Sequence, residues 1–308
     1  MVAFIVQRLL QGLVVIFLVS FVTFGILQLA PGSPVDTMIG EAPVSDAQRE
    51  AIEEKWGLND PWYVQYITWM GNLLSGDLGT SVVRTGTPVS EMIREAAPVT
   101  LKLNGIALFI AIGLAIPAGV VAAVRRYSWF DYGSMLGSTL GVAVPNFWIA
   151  LMLIYLFSLR LGWVPPFGAE SWRGYILPVA VLASEQTAVI ARLTRGATLE
   201  VLNQEYVTTA RAKGLPQSAI MIRHVVRNSL LPIISILGYR IAFLLSGTIV
   251  IETIFAWPGI GRLFFDSIYR LDYQVVQSIT ILLAALVVLG NLITDVAYAY
   301  VDPRIRLR

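Results

Sequence analysis

Cysteine is absent from the sequence, and histidine occurs once, at His224. Disulfides and thiolate metal sites are thereby excluded, and a lone imidazole cannot assemble a multi-histidine centre. Charge is scarce as well. Of the 308 residues, 14% are charged and 56% hydrophobic, whereas a soluble domain carries about 25% charged residues. With a mean hydropathy of +0.70, much of the exterior must be solvated by something other than water, and lipid meets that need. No Gly-x-x-x-x-Gly-Lys-[Ser/Thr] phosphate loop occurs, so the chain lacks the backbone cradle and lysine that hold a nucleotide in that manner. Self-similar repeats, low-complexity tracts and flexible linkers are missing too, and a single membrane domain is expected.

What the sequence does contain is long apolar runs. Crossing a hydrocarbon core of roughly 30 Å takes about 20 apolar residues in a helix. Six stretches meet that length: 9–30, 100–124, 134–158, 175–197, 230–254 and 278–300. The first is read as a span and not a cleaved leader, because it is long enough to cross and no small-residue cleavage pattern follows it. An all-α polytopic membrane protein follows, divided into an N-terminal span (1–30), an extracytoplasmic helical segment (31–99) and a five-helix core (100–308) with a loop at 198–229.

Charge sets the orientation. Arg8, Arg125, Arg126, Arg195, Arg211, Lys213, Arg223, Arg227, Arg304, Arg306 and Arg308 lie on one side, with only Asp131, Glu200, Glu205 and Asp302 among the acids there. The positive-inside rule places that side, both termini and the 198–229 loop in the cytoplasm.

In the outer segment, Ser45 and Gln48 fit a capping box, and Gly57 fits a helix stop. Asp60 is expected to cap a second helix with Pro61 at its first position. Tyr63, Tyr66, Ile67, Met70, Leu73 and Leu74 then form an apolar stripe at helical spacing, and Trp62 and Trp69 suit an interface. Both a membrane-surface helix and a docking or vestibule surface for an external partner accommodate this pattern.

The 205–232 segment is the most informative. It reads as a two-turn helix, a corner at Gly214 in the left-handed conformation that ends helices, and a second helix opened by Pro216. Ala210 and Ala212 keep the first helix slim enough for a groove, while Arg211 and Lys213 can reach an acidic rim. The run Ala210-Arg211-Ala212-Lys213-Gly214-Leu215, with His224, Arg227, Asn228 and Pro232 downstream, resembles the cytoplasmic coupling loop of the binding-protein-dependent permeases of ATP-binding-cassette importers. The match is to the dipeptide, oligopeptide and nickel branch. Thr208-Thr209-Ala210 stands where the general family form has Glu-Ala-Ala.

Further motifs extend the resemblance along the chain: Phe4 to Leu10, Ala30-Pro31-Gly32-Ser33-Pro34, Gly57 to Pro61, Gly76 to Ser81, Glu252 to Gly261, and Asp302 to Arg306. Ser33 replaces the acid usual in the second of these. The resemblance implies a type I importer permease fold and a bacterial cytoplasmic-membrane location. Glu205, Thr208, Thr209, Ala210, Arg211, Ala212, Lys213, Gly214 and Leu215 would couple to a separate ATPase. It also implies the partners: a second, distinct permease subunit, two ATPase subunits that bind ATP and Mg, and an extracytoplasmic substrate-binding protein. This chain would hold no cofactor or metal, have no catalytic residue and meet no nucleic acid. Short peptides are the expected cargo, with nickel complexes and haem-like molecules as alternatives.

Charges inside spans usually face partners or water. Asn146, Glu185 and Arg240 are therefore candidates for a polar translocation cavity, with structural pairing as the alternative. For Arg192, Glu252 and Asp295 structural pairing or snorkelling is the favoured expectation. Pro145 supplies a breaker, expected to bend its helix. Glu252, Trp257, Pro258 and Gly259 form a candidate outer gate, or else a mere turn. Two other classes compete: an ATP-independent secondary transporter or channel, which often shows paired halves with interrupted helices, and a membrane-embedded hydrolase. No paired halves are visible, and the lone histidine falls in the cytoplasmic loop.

Overall fold

The computed structural model describes residues 2–29, 35, 39, 45–55, 57–84, 86–169, 171–242, 244–245 and 248–301. The motifs at Ala30 to Pro34 and Asp302 to Arg306 lie outside them. Among the described residues, five helices are long and apolar enough to cross a membrane: Phe4–Leu29, Val89–Val124, Trp172–Leu202, Gln217–Gly238 and Tyr273–Val296. A sixth crossing is completed if the bent pair Trp129–Ala143 and Asn146–Arg160 counts as one. By proximity of their Cα atoms the residues form two units.

The first unit comprises Met1–Thr100, Leu245–Ile249 and Pro258–Arg308. Helix α1, Val2–Leu29, lies along the last helix of the chain, Tyr273–Val301, and Arg8 pairs with Asp295 on it at 3.1 Å. Leu10, Leu13, Phe17 and Ile26 of α1 are exposed, which suits a helix whose outer face meets hydrocarbon. The segment that follows α1 supplies α2, Asp46–Lys55, and α3, Trp62–Leu74. The capping box forms as expected: Ser45 Oγ accepts the Gln48 amide at 3.3 Å, and Gln48 Oε1 accepts the Ser45 amide at 3.0 Å. Gly57, at φ +63°, turns the chain after α2.

Two local expectations fail at α3. Its cap is Pro61, with no side-chain hydrogen bond, while the Asp60 carbonyl accepts Gln65 Nε2 at 2.8 Å. The packed face is also different. Tyr66 and Trp69 are buried with Phe24 and Ile281, flanked by Met70 and Leu73, whereas Tyr63, Ile67 and Leu74 are exposed. Tyr66 settles the choice, because its hydroxyl lies 2.9 Å from Ser20 Oγ and is thereby satisfied in a buried setting. Trp69 is thus a core ring, not an interfacial one.

Helix α4, Val89–Val124, contributes its first part to this unit. There Val89, Met92 and Ala96 pack with Ile260, Val275 and Ile279. Asp272, which precedes the last helix, is 2% exposed. Its carboxyl group accepts the Ser81 hydroxyl at 2.5 Å and the Val82 amide at 3.2 Å, so both buried oxygens have a hydrogen-bond partner.

The second unit comprises Leu101–Leu244 and Val250–Trp257. It holds the rest of α4, then α5, Trp129–Ala143, and α6, Asn146–Leu153, which runs on as a wider π-helical stretch Ile154–Arg160. Helix α7 follows over Ile176–Leu202 and α8 over Glu205–Ala212; helical turns from Gln217 lead into α9, Leu231–Ala242, and α10 is Ile249–Ile254. Leu108, Ala111 and Ala115 of α4 pack with Ile190 and Ala191 of α7 and Ile233 of α9. Glycine lets the helices close: a Cβ on Gly119 would stand 2.6 Å from both the Ala191 carbonyl oxygen and Thr194 Cβ, and one on Gly141 would stand 2.9 Å from Ala188 Cβ. Small residues at such crossings replace the hydrophobic drive that lipid removes.

Two of the six expected spans change shape. The stretch at 134–158 is broken, turning by 102° at Val144–Pro145, because the residue before a proline is driven to extended backbone and Val144 sits at φ −86°, ψ 126°. The stretch at 230–254 is not one helix either. The apolar helix starts upstream at Gln217, and Leu244, Leu245 and Thr248 are non-helical before α10. Ser246, Gly247 and Thr248 are weak helix formers.

Candidate functional site

Three sets of candidate residues lie wholly or partly in the second unit, and the hairpin after α7 is the best defined. Lys213 is the C-cap of helix α8, and Gly214 takes φ +73°. Its amide bonds the Arg211 carbonyl at 3.0 Å, and the Leu215 amide bonds the Ala210 carbonyl at 3.3 Å. This paired closure satisfies carbonyls the helix end would leave open, and only glycine takes that backbone region without a penalty of about 1–2 kcal/mol. Pro216 then caps the return turns, accepting the Ala219 and Ile220 amides at 2.9 and 3.1 Å.

The hairpin is a small folded body. Val207, Ala210, Ile220 and Val225 form its buried centre, packed by Val201 and Leu202 from the end of α7. Asn228 Nδ2 donates to the Tyr206 hydroxyl at 3.1 Å and ties the return limb to α8. Glu205, Thr208, Thr209, Arg211, Ala212, Lys213, Gly214 and Leu215 are all exposed. Ala210 is not: at 6% exposure its small side chain lets the return limb approach α8 and is not offered to a groove.

The second feature joins residues that the sequence named separately. Glu185 on α7 accepts Asn146 Nδ2 from the start of α6 at 2.5 Å, and Arg240 Nη1 on α9 lies 3.9 Å from its other oxygen. Glu185 and Arg240 side chains keep 39% and 26% exposure, so the cluster is open to whatever fills the adjoining space. Arg192 is exposed and forms no ion pair among the described residues. A groove of about 720 Å³ runs between α4, α5 and α7, lined by Ile110, Gly137 and Thr187 among others, but Asn146, Glu185 and Arg240 are not in its wall. Glu185→Gln is expected to lower uptake by at most about fivefold with ATP hydrolysis retained, since an ion pair this exposed contributes at most about 1 kcal/mol. Transport assayed together with ATPase activity checks this, and unchanged uptake would remove the cavity assignment.

Third is the candidate gate. Glu252 and Trp257 are buried, at 0% and 1% exposure. Helix α10 closes by the same paired device as α8: the Trp257 amide bonds the Glu252 carbonyl at 2.8 Å and the Ala256 amide the Thr253 carbonyl at 3.2 Å. Here Ala256, not a glycine, takes the positive φ of 55°. The Trp257 ring meets Tyr175 edge-on at 4.4 Å, and its indole N–H has no partner among the described residues. Pro258 and Gly259 belong to the first unit, where Gly259 is the residue before α11, Ile260–Tyr269.

One contact was not foreseen. Arg195 on α7 grips Asp131 in the first turn of α5 with two bonds, Nε to Oδ1 at 2.5 Å and Nη2 to Oδ2 at 2.8 Å. Both residues were visible as inner-side charges, but nothing in their separation of 64 positions marks them as a pair.

Long apolar helices with a folded basic hairpin between two of them define a polytopic membrane protein. The comparisons narrow that class. Residues 115–307 match the model of the binding-protein-dependent transport system inner membrane component, and residues 1–104 match the N-terminal model of such membrane components. The chain belongs to this family of inner-membrane transport proteins. It is 45% identical to the oligopeptide transport system permease protein AppB of Bacillus subtilis, over 99% of both chains. It is 39% identical to the dipeptide transport system permease protein DppB of Alkalihalophilus pseudofirmus, over 99% of this chain and 100% of that one. With the glutathione transport system permease protein GsiC of Escherichia coli K12 it shares 38% identity over the whole of both. The crystal structure of an amino acid ABC transporter with histidines has the same fold, with a TM-score of 0.51 at 18% identity over 70% of this chain and 94% of that one.

Proposed function

We propose that this chain is a membrane-spanning permease subunit of an ATP-driven importer of short peptides, and that it is not itself the catalyst of ATP hydrolysis. ATP and Mg are held by two partner ATPase subunits, cargo is delivered by an external binding protein, and a second, distinct permease completes the pathway. Both termini lie in the cytoplasm. The observation that carries the reading is the hairpin at 205–216. It is a prefolded, two-limbed projection whose outward face carries Arg211 and Lys213 at the tip, suited to a cleft with an acidic rim. Relatives aligned end to end and named for oligopeptide, dipeptide and glutathione transport support peptides as the cargo. Glutathione and dipeptides share two charged termini on a short backbone, and the Asn146–Glu185–Arg240 cluster offers one carboxylate, one guanidinium and one amide to such groups.

In this mechanism nucleotide binding closes the two ATPases, carries the hairpins of the two permeases together, and turns the membrane cavity from inward-open to outward-open. The outer turn at Glu252, Trp257, Pro258 and Gly259 acts as the lid on that cavity. The test is uptake into proteoliposomes. With ATPase subunits and binding protein present, peptide uptake should require ATP. Equal uptake without the ATPase subunits would overturn the reading in favour of an ATP-independent carrier.

A further inference from the structure

We propose that the Asp131–Arg195 pair is the element that carries movement of the 205–216 hairpin into α4 and α5; this inference rests on the reading of that hairpin as the seat of an ATPase. The path is continuous within the second unit. Helix α8 is joined to α7 through only Asn203 and Gln204, and its buried residues Val207 and Ala210 pack on Val201 and Leu202 at the end of α7. A push on α8 is therefore a push on α7. Seven residues earlier, about 10 Å up a stiff helix, stands Arg195. Its two bonds reach Asp131, whose side chain is 3% exposed. The second oxygen of Asp131 also accepts the Tyr127 amide at 3.0 Å. Tyr127, at φ +65°, lies in the turn between α4 and α5, and Ser128 caps α5 by accepting the Asp131 amide at 3.2 Å. One carboxylate thus holds α7, the start of α5 and the α4–α5 turn together.

The chemistry explains why an ion pair stands here. A buried ion pair contributes little net stability over an apolar pair of the same size, because removing both charges from water offsets their attraction. What a two-pronged guanidinium–carboxylate contact supplies is fixed orientation. Along the same seam α4, α5 and α7 meet closely at Gly119, Gly141 and Ala188, through small residues that make no directional bond of their own. The clamp supplies one at the end nearest the hairpin, and through it α7 turns together with α5 and the α4–α5 turn.

The decisive experiment uses the whole complex in proteoliposomes, measuring ATP hydrolysed and peptide taken up in the same vesicles. D131N is the single variant, and D131L/R195M is an apolar double variant that removes the charges and fills the volume. The double variant should assemble and hydrolyse ATP within about twofold of the unsubstituted complex, yet take up about tenfold less peptide per ATP. D131N should lower the same ratio. If the double variant keeps the unsubstituted ratio of uptake to ATP, the pair is only structural and the proposal is overturned. Should D131N fail to assemble, the double variant decides alone. An unsubstituted complex that takes up peptide without ATP would refute the importer reading itself, an outcome separate from loss of the clamp.

Discussion

Val207→Asp is expected to reduce uptake at least tenfold while the chain still inserts into the membrane in normal amounts. Val207 is 0% exposed and sits on the inner side of α8 with Ala210, Ile220 and Val225 around it. Its partners in that cluster are all apolar side chains. An ionised carboxylate there would be unpaired, and even its protonated form would leave polar atoms unbonded, at roughly 2–7 kcal/mol. A body built on four buried residues cannot absorb that penalty. The limbs should part, and the outward residues Arg211 and Lys213 would lose their fixed spacing. Insertion depends on the apolar helices, which the change leaves alone. Immunoblots of membranes with parallel uptake assays check both halves, and Asn203→Asp, exposed and outside the coupling residues, serves as the control. Equal losses from both substitutions would mean that added charge, and not the hairpin centre, is responsible.

Gly119→Val is the second large effect, with loss of the folded second unit expected. The Cβ alone would be 2.6 Å from the Ala191 carbonyl oxygen and 3.0 Å from the Arg195 amide nitrogen. Those atoms are backbone, so no rotamer change relieves the clash, and α4 must move off α7. Overpacking of a tight contact costs about 1–3 kcal/mol and more where backbone must shift. The displacement would also pull at the neighbouring Arg195 grip on Asp131. A purified Gly119→Val chain should melt well below the unsubstituted protein, and Gly113→Val, at a position where an added Cβ meets nothing within 4 Å, should not. Similar melting of the two would contradict the close crossing.

The sequence made local chemistry legible and long-range pairing illegible. The Ser45–Gln48 capping box and the Gly214 corner rest on a few neighbouring residues, whose hydrogen bonds are dictated by the backbone they close. Apolar runs disclosed most spans for the same reason. The face of α3 was a different problem. Tyr66 and Trp69 face protein while Ile67 and Leu74 do not, yet all four are apolar enough for either place, because lipid and protein interior reward the same side chains. Asp272 with Ser81, and Asp131 with Arg195, lie 191 and 64 positions apart. Charge inventory places such residues on a side of the membrane, but the crossing of helices decides which ones meet. The break at Pro145 was visible as a bend, though its 102° depends on Val144 being extended as well. Of the candidate site, Asn146, Glu185 and Arg240 were each named from their polarity in apolar surroundings, and their meeting came only from the fold.

The central claim, that an ATPase seats the hairpin, is tested most directly by cross-linking from its tip. The chain has no cysteine, so Lys213→Cys gives it a single thiol, at an exposed position; Ala210, being buried, is unsuitable. Treated with a short thiol-specific photo-cross-linker in native membranes, Lys213→Cys should form one dominant adduct with an ATP-binding-cassette subunit, and its yield should change when nucleotide is added. Efficient labelling with no ATPase adduct in any nucleotide state would contradict the account.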